Sequence, residues 1–290
     1  MKKYKAVISL TLAAVLAAGL CGCSDVGKSQ ASAEDNKYSL GNASIEDKVE
    51  SVSIDWTDGD IEFVLHDGNT VDISEEFSSE AGEDMQMRWK LDGTTLCIKY
   101  GEPGFTLVSA GGPEKHLTVA LPEKLVLDEL VIDAASADIK GQDMKAGSVE
   151  ADITSGSLDM SLSADKLDIE ATSGTVKTVC EAKDIRITST SGSIYLTQKG
   201  AADSIYFDVT SGDIEAELEK FGNLDIFGTS SDVKLILPEK ADFTAEVDTT
   251  SGEFKSDIPV KMEKDAYVAG NGSSKINVSV TSGDVNILAK

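Results

Sequence analysis

Residues 167–192 read LDIEATSGTVKTVCEAKDIRITSTSG, and this stretch decides the fold. Apolar and polar residues alternate up to a Thr-Ser-Gly tripeptide, which puts one face of a β-strand indoors and the other in solvent. After the glycine the alternation resumes, and then the whole pattern starts again. The tripeptide or a close relative places its serine at Ser136, Ser155, Ser173, Ser191, Ser211, Ser230, Ser251 and Ser282. Successive spacings are 19, 18, 18, 20, 19, 21 and 31 residues, so the last interval holds an insertion. A fixed period of this size marks stacked units, each too small to bury its own apolar face.

The register around each serine is equally regular. Six residues before it stand Leu130, Val149, Leu167, Ile185, Ile205, Leu224, Ala245 and Ile276; three after it stand Ile139, Leu158, Val176, Ile194, Ile214, Val233, Phe254 and Val285. Four before it, Ile132, Ala151, Ile169, Ile187, Phe207, Ile226, Val247 and Val278 continue the alternation into a shared core. Each unit therefore reads as strand, bend, strand and return loop, one turn of a β-solenoid whose rungs stack about 4.8 Å apart. The alternative is an elongated two-sheet β-sandwich or clam built from consecutive hairpins.

The turn positions are Ser155, Gly156, Ser173, Gly174, Ser191, Gly192, Ser211, Gly212, Ser251, Gly252, Ser282 and Gly283. Glycine suits a bend that swings through positive φ, and the serine hydroxyls can bond to backbone or to one another up the stack. Ala137 and Ser231 occupy the glycine place in two units, so the bend is expected to need no extreme backbone angle.

Ahead of the repeats, Val52–Trp56 and Ile61–Leu65 read as strand, turn, strand about Thr57-Asp-Gly-Asp60. Met85–Leu91 and Leu96–Tyr100 repeat that grammar about Asp92-Gly93. The expected organisation is a signal peptide over 1–22, a flexible tether over 23–44, an N-terminal β-rich capping part over 45–126 and the repeat solenoid over 127–290. No stretch carries a convincing period of 3.6.

The chain's 51 acidic side chains face 26 Lys and Arg, a formal charge of −25. Such a surface repels phosphate backbones, which excludes nucleic acid as a partner. Lys2, Lys3 and Lys5 precede the apolar run 6–20, the layout of a secretory signal too short for a comfortable span. Its close, Leu20-Cys-Gly-Cys23-Ser24, resembles the bacterial lipobox and makes Cys23 the lipidation site; Cys21 has the bulky Leu20 where a small residue is wanted. Cleavage by ordinary signal peptidase to a secreted protein is the plainer alternative. Loss of residues 1–22 removes three lysines and no acid, leaving 23 positive against 51 negative side chains, a net −28. Residues 24–44 are small, polar and aperiodic, the composition of a coil reaching about 25 Å.

Outward positions carry the candidate chemistry. Three before each serine stand Asp133, Asp152, Glu170, Thr188, Asp208, Phe227, Asp248 and Ser279, a file with five carboxylates. Asp133, Asp152, Glu170, Asp208 and Asp248 are thus candidate Ca²⁺ ligands, or a face for a cationic polymer; the bland reading is a solvated face that resists edge-to-edge aggregation. No other cofactor is implied. Four after the serine, Lys140, Asp159, Lys177, Tyr195, Glu215, Lys234, Lys255 and Asn286 mix signs and can pair between rungs. Gly270-Asn-Gly272 precedes a strand instead of a helix, so it reads as a turn and not a phosphate loop. His66 and His116 lack partners at ligand spacing, and Cys97 and Cys180 read as buried free thiols, with one disulfide between them as the alternative outside the cytosol.

Together, the lipobox, the Ser53-Ile-Asp-Trp-Thr-Asp-Gly-Asp-Ile-Glu62 opening, Asp92-Gly-Thr-Thr-Leu-Cys-Ile98, Leu117-Thr-Val-Ala-Leu-Pro122, the serial Thr-Ser-Gly repeats and the closing segment 270–287 resemble the bacterial "putative adhesin" family of unknown function. The resemblance covers about residues 45–290. It implies a β-solenoid-like extracellular domain on a lipoprotein, sometimes beside cell-envelope stress systems, and it supplies no catalytic residues. The expected function is a non-enzymatic binding, adhesion or scaffold module held on the outer face of the cytoplasmic membrane by its N-terminal lipid, with an envelope protein, cell-wall material or an extracellular ligand as partner. Two alternatives stand beside it: an accessory part of a stress-sensing system, and a polysaccharide-lyase-like β-helix enzyme. In the second, Arg186, the sole arginine of the repeats, would act as base.

Overall fold

The computed structural model describes residues 38–102 and 113–290. The expected signal peptide and Cys23 lie outside these residues. Among the described residues no helix is long and apolar enough to cross a membrane.

Strands β1 (Ser39–Leu40), β2 (Ala43–Ile45), β3 (Ser51–His66), β4 (Val71–Phe77), β5 (Arg88–Asp92), β6 (Thr95–Lys99) and β7 (Lys115–Pro122) precede the repeats. The repeats form β8 (Leu127–Ser155), β9 (Leu158–Ser173), β10 (Val176–Ser191), β11 (Ile194–Ser211), β12 (Ile214–Ser230) and β13 (Val233–Leu237). After them come β14 (Phe243–Ser251), β15 (Phe254–Ser256), β16 (Lys261–Glu263), β17 (Ala266–Ala269), β18 (Ser274–Ser282) and β19 (Val285–Ala289). The repeat strands pair in parallel, residue on residue: Leu158 with Val176, Val176 with Ile194, Ile194 with Ile214. This is the solenoid that the serine period predicts.

The core follows the alternation. Leu167, Ile169, Ile185, Ile187, Ile205, Phe207, Leu224 and Ile226 are buried on the strand entering each bend; Leu158, Val176, Ile194, Ile214 and Val233 are buried on the strand leaving it. In the Ser251 unit, at the end of the stack, Val247 and Phe254 are only half-buried. From Ser136 to Ser230, what reads as a return loop is continuous strand, and it absorbs the uneven spacing; a loop follows only after Leu237. Register shifts fall at Gly141/Met144, Cys180/Asp184 and Gln198/Ala201, while the serines stay in line.

The bend does demand an unusual backbone, against expectation. Gly156, Gly174, Gly192, Gly212 and Gly283 have φ between +114° and +149°, where L-residues are rare. Ala137, Ser231 and Gly252 close their bends without positive φ. The bend serines' side chains point to solvent, and their carbonyls, not their hydroxyls, bind the stack: Gly174 donates to Ser191 O at 3.1 Å and Gly192 to Ser211 O at 2.9 Å. A second ladder runs through the residue two after each serine. The Asp138 carboxylate accepts from Ser157 N, Asp232 from Asp284 N and Asp284 from Glu253 N, each at 2.8 Å.

Both ends of the stack depart from chain order. The β3 segment is not a hairpin but a full rung: Asp58-Gly59 takes the Ser-Gly place, with Asp58 opposite Ser136 and Ile61 opposite Ile139. On its other side β3 pairs in parallel with β6 and β7, which come later in the chain. At the far end β18 pairs with β12 on one side and β14 on the other, while β19 lies between β13 and β15. The Ser282 rung is therefore inserted between the Ser230 and Ser251 rungs. Eight serine rungs, β3 and the β6–β7 rung make ten among the described residues, about 43 Å of stack at 4.8 Å per step.

Antiparallel strands close each end. β4 covers β7, β5 covers β6, β17 covers β14, and β1 and β2, within the segment read as tether, pair with β5 and β4. Beneath the N-terminal cap Lys115 is fully buried: its ammonium meets a Glu75 carboxylate oxygen at 2.9 Å, donates to Met85 O at 2.7 Å and lies 4.5 Å from the Trp56 ring centre. Cys97 and Cys180 are buried, far apart in the chain, and Cys180 is pushed up to about 12 by desolvation, which makes it inert.

Candidate interaction face

The strands that enter the bends present two outward files. One holds Ser53, Val131, Glu150, Asp168, Arg186, Tyr206, Asp225, Asn277 and Glu246, and the other holds Asp55, Asp133, Asp152, Glu170, Thr188, Asp208, Phe227, Ser279 and Asp248. Ten carboxylates thus face one guanidinium across nine rungs. Asp55 belongs to the acidic file and is missed when Thr57–Asp60 is taken for a hairpin turn. Its register with Asp133 is visible only once β3 is known to be a rung.

Asp133, Asp152, Glu170, Asp208 and Asp248 all point to solvent. Asp133, Asp152, Glu170 and Asp208 line one shallow groove of about 390 Å³, together with the exposed Thr154, Thr172, Thr190 and Thr210. Asp248 lies apart from them, beyond Phe227 and Ser279. The carboxylates form a ladder and not a cage: among the described residues no three His, Cys, Asp or Glu side chains converge to hold a metal ion. Crowding shows in Asp152, raised to about 6 by desolvation and then by Glu170, Glu150, Asp133 and Asp168.

Arg186 is committed within this ladder. Its Nη1 donates to Glu170 Oε1 at 2.6 Å and Asp168 Oδ1 at 3.4 Å, and its guanidinium lies 5.6 Å from the Tyr206 ring centre. Tyr206 in turn packs on Phe227, with ring centres 5.6 Å apart, and Phe227 is 43% exposed. The opposite face is neutralised rung by rung, as its mixed file predicts: Lys177 meets Asp159 at 2.8 Å and Lys234 meets Glu215 at 3.1 Å.

The Gly270–Gly272 turn takes no outside anion because its amides are spent on one within the chain. Asn271 N and Ser273 N donate to Asp242 Oδ1 at 3.0 and 2.8 Å, and the Ser273 bond leads the causes that lower the Asp242 pKa.

The family described as Toastrack DUF4097 matches residues 49–288. A search of curated proteins finds no match. Among solved structures, a putative adhesin from Bacteroides fragilis is 11% identical at TM-score 0.45, covering 86% of this chain and 97% of that one. A putative lipid binding protein from Parabacteroides distasonis is 10% identical at TM-score 0.34, covering 88% and 97%. A putative cell adhesion protein from Clostridium sporogenes is 10% identical at TM-score 0.27, covering 88% of this chain and all of that one.

Proposed function

From the premise that the chain belongs to the Toastrack DUF4097 family, we propose that it is a lipid-anchored, non-enzymatic binding module of the bacterial cell surface that docks a cationic partner of the envelope on its acidic face. The observation that carries this reading is the asymmetry between the two faces. Ten carboxylates stand almost unopposed along one, whereas paired charges cancel along the other. A field of one sign over about 40 Å steers and holds a partner of the opposite sign, and it weakens with salt. Cys23 supplies the anchor in this proposal, on the strength of the lysine-led apolar run and the Leu20-Cys-Gly-Cys23 motif. Several acyl chains on one cysteine give lasting attachment, where a single chain holds only reversibly. The chain from residue 24 to the cap then spaces the solenoid from the bilayer.

The lyase alternative finds Arg186 held by two carboxylates and an aromatic ring, a poor setting for a base that must meet an anionic substrate.

Binding of the purified protein to immobilised polylysine and to isolated envelopes tests the face. Combined Asp133→Asn, Asp152→Asn and Glu170→Gln should weaken retention at least tenfold, while Lys177→Gln with Lys234→Gln should not. Equal effects of the two sets would overturn the reading. For the anchor, Cys23→Ser should release the protein from membranes into the medium.

A further inference from the structure

The inserted C-terminal rung has a chemical consequence on the acidic face. Were the stack in chain order, Phe227 would abut Asp248, and Asp225 would abut Glu246. Instead Ser279 stands between the first pair and Asn277 between the second. A small side chain between two larger ones leaves a notch, here about 420 Å³ and open to solvent, lined by Phe227, Glu246, Asp248, Asn277, Ser279 and Asp265 from the β16–β17 turn, with Val247 and Val278. Phe227 and Asp248 are two rungs apart, about 9.6 Å, enough for one planar group between them.

We propose that this notch receives an arginine side chain carried on a basic polypeptide segment of the partner, an inference that rests on the binding role given to the acidic face. One wall is an exposed aromatic ring, and the others carry three carboxylates. No lysine or arginine lines the notch, and among the described residues no cation pairs with Glu246, Asp248 or Asp265. An aromatic face with carboxylates at its rim matches a guanidinium, which stacks on the ring and donates sideways to the acids. Along the same face, Arg186 is received in this way by Tyr206, Glu170 and Asp168. Asn277 does not compete, because its Nδ2 is spent on Asp225 Oδ1 at 2.6 Å. The basic segment then lies along the solenoid axis, with the neighbouring carboxylate Asp208 and, further along the file, Asp152 and Asp133 available to its further cations.

The test uses the full-length lipidated protein in detergent micelles and a fluorescein-labelled peptide of alternating arginine and glycine, read by anisotropy at low salt. The expected result is saturable binding that Phe227→Ser weakens at least tenfold and Phe227→Tyr restores. Asp248→Asn should weaken it severalfold. Exchange of the peptide's arginines for lysines should lower affinity through loss of the planar stack. Because Phe227 is exposed and serine already occupies its place in the adjacent rung, an unchanged melting temperature should accompany the loss. Unaltered affinity in Phe227→Ser, alongside loss in the combined Asp133, Asp152 and Glu170 variant, would sink the notch and leave the acidic face standing. No binding by the unmodified protein would sink both. Binding of spermidine but not of the peptide, with the same dependence on Phe227, would overturn the choice of a polypeptide.

Discussion

Gly174 approaches Gly156 so closely that a methyl group on Gly174 would lie 1.6 Å from the Gly156 carbonyl oxygen. The contact repeats up the column, at 1.7 Å for Gly192 over Gly174 and 2.3 Å for Gly212 over Gly192. Positive φ and stacking distance thus require the same residue for two reasons. Backbone strain of about 1–3 kcal/mol adds to overpacking of about 1–3 kcal/mol, so Gly174→Ala should cost about 2–6 kcal/mol in urea denaturation. Gly200→Ala is the contrast: φ is +72° but nothing lies within 4 Å, so only about 1 kcal/mol should be lost. Equal costs would mean that the column does not constrain the bend.

The aspartate ladder makes a separate prediction. Asp284 Oδ1 accepts from Glu253 N in the terminal rung. Asp284→Ala should cost about 1 kcal/mol, and Asp284→Asn, which keeps an acceptor oxygen, should recover most of it. Thermal melts of the three proteins decide the point; identical melts would show that solvent serves that amide as well as the carboxylate does.

Asp152 is a site where the fold carries a cost at neutral pH. Its folded pKa, about 6, exceeds the ordinary aspartate value of 3.8, so the native state holds the extra proton between those values and stability falls as pH rises through them. Asp152→Asn should therefore stabilise the protein at pH 7 by about 1 kcal/mol, a figure reduced for solvent screening of an exposed side chain, and by almost nothing at pH 4. A stabilisation independent of pH would contradict the crowding of Asp152.

Lys115 gives the opposite slope at alkaline pH. Burial lowers it from 10.5 to about 8, against the upward pull of Glu75. Between those values the unfolded chain binds more protons than the native one, so this group's contribution rises with pH. The stability of the unmodified protein relative to Lys115→Met should grow by up to about 3 kcal/mol from pH 8 to pH 10.5. A gap that stays constant or shrinks over that range would be the contrary result.

Membership of the stack was legible in the chain because burial imposes a period of two on each strand and closure of a rung imposes about 19 residues on each unit. Order within the stack was not. A period says that Ser251 and Ser282 mark equivalent rungs, but the 31-residue interval between them is compatible with either one standing at the end. The β3 rung escaped notice since aspartate replaces serine at Asp58 and 78 residues separate it from Ser136, its neighbour in register. The acidic file was readable because outward positions follow from inward ones. Its notch was not readable, for the gap at Ser279 exists only through the order of rungs. Ala137 and Ser231 give no sign of the positive φ at the other bends, because their own rungs turn by a different backbone path.

The tucked-in ends bear on how the molecule holds together. Residues 274–289 fill a slot between two rungs that precede them in the chain, some 50 residues back for β12. Until they dock, the Ser230 and Ser251 rungs present bare strand edges that neither can satisfy alone. A chain without β18 and β19 would lose the join between two rungs and carry exposed strand edges there. The join between the Ser230 and Ser251 rungs thus exists only through β18 and β19.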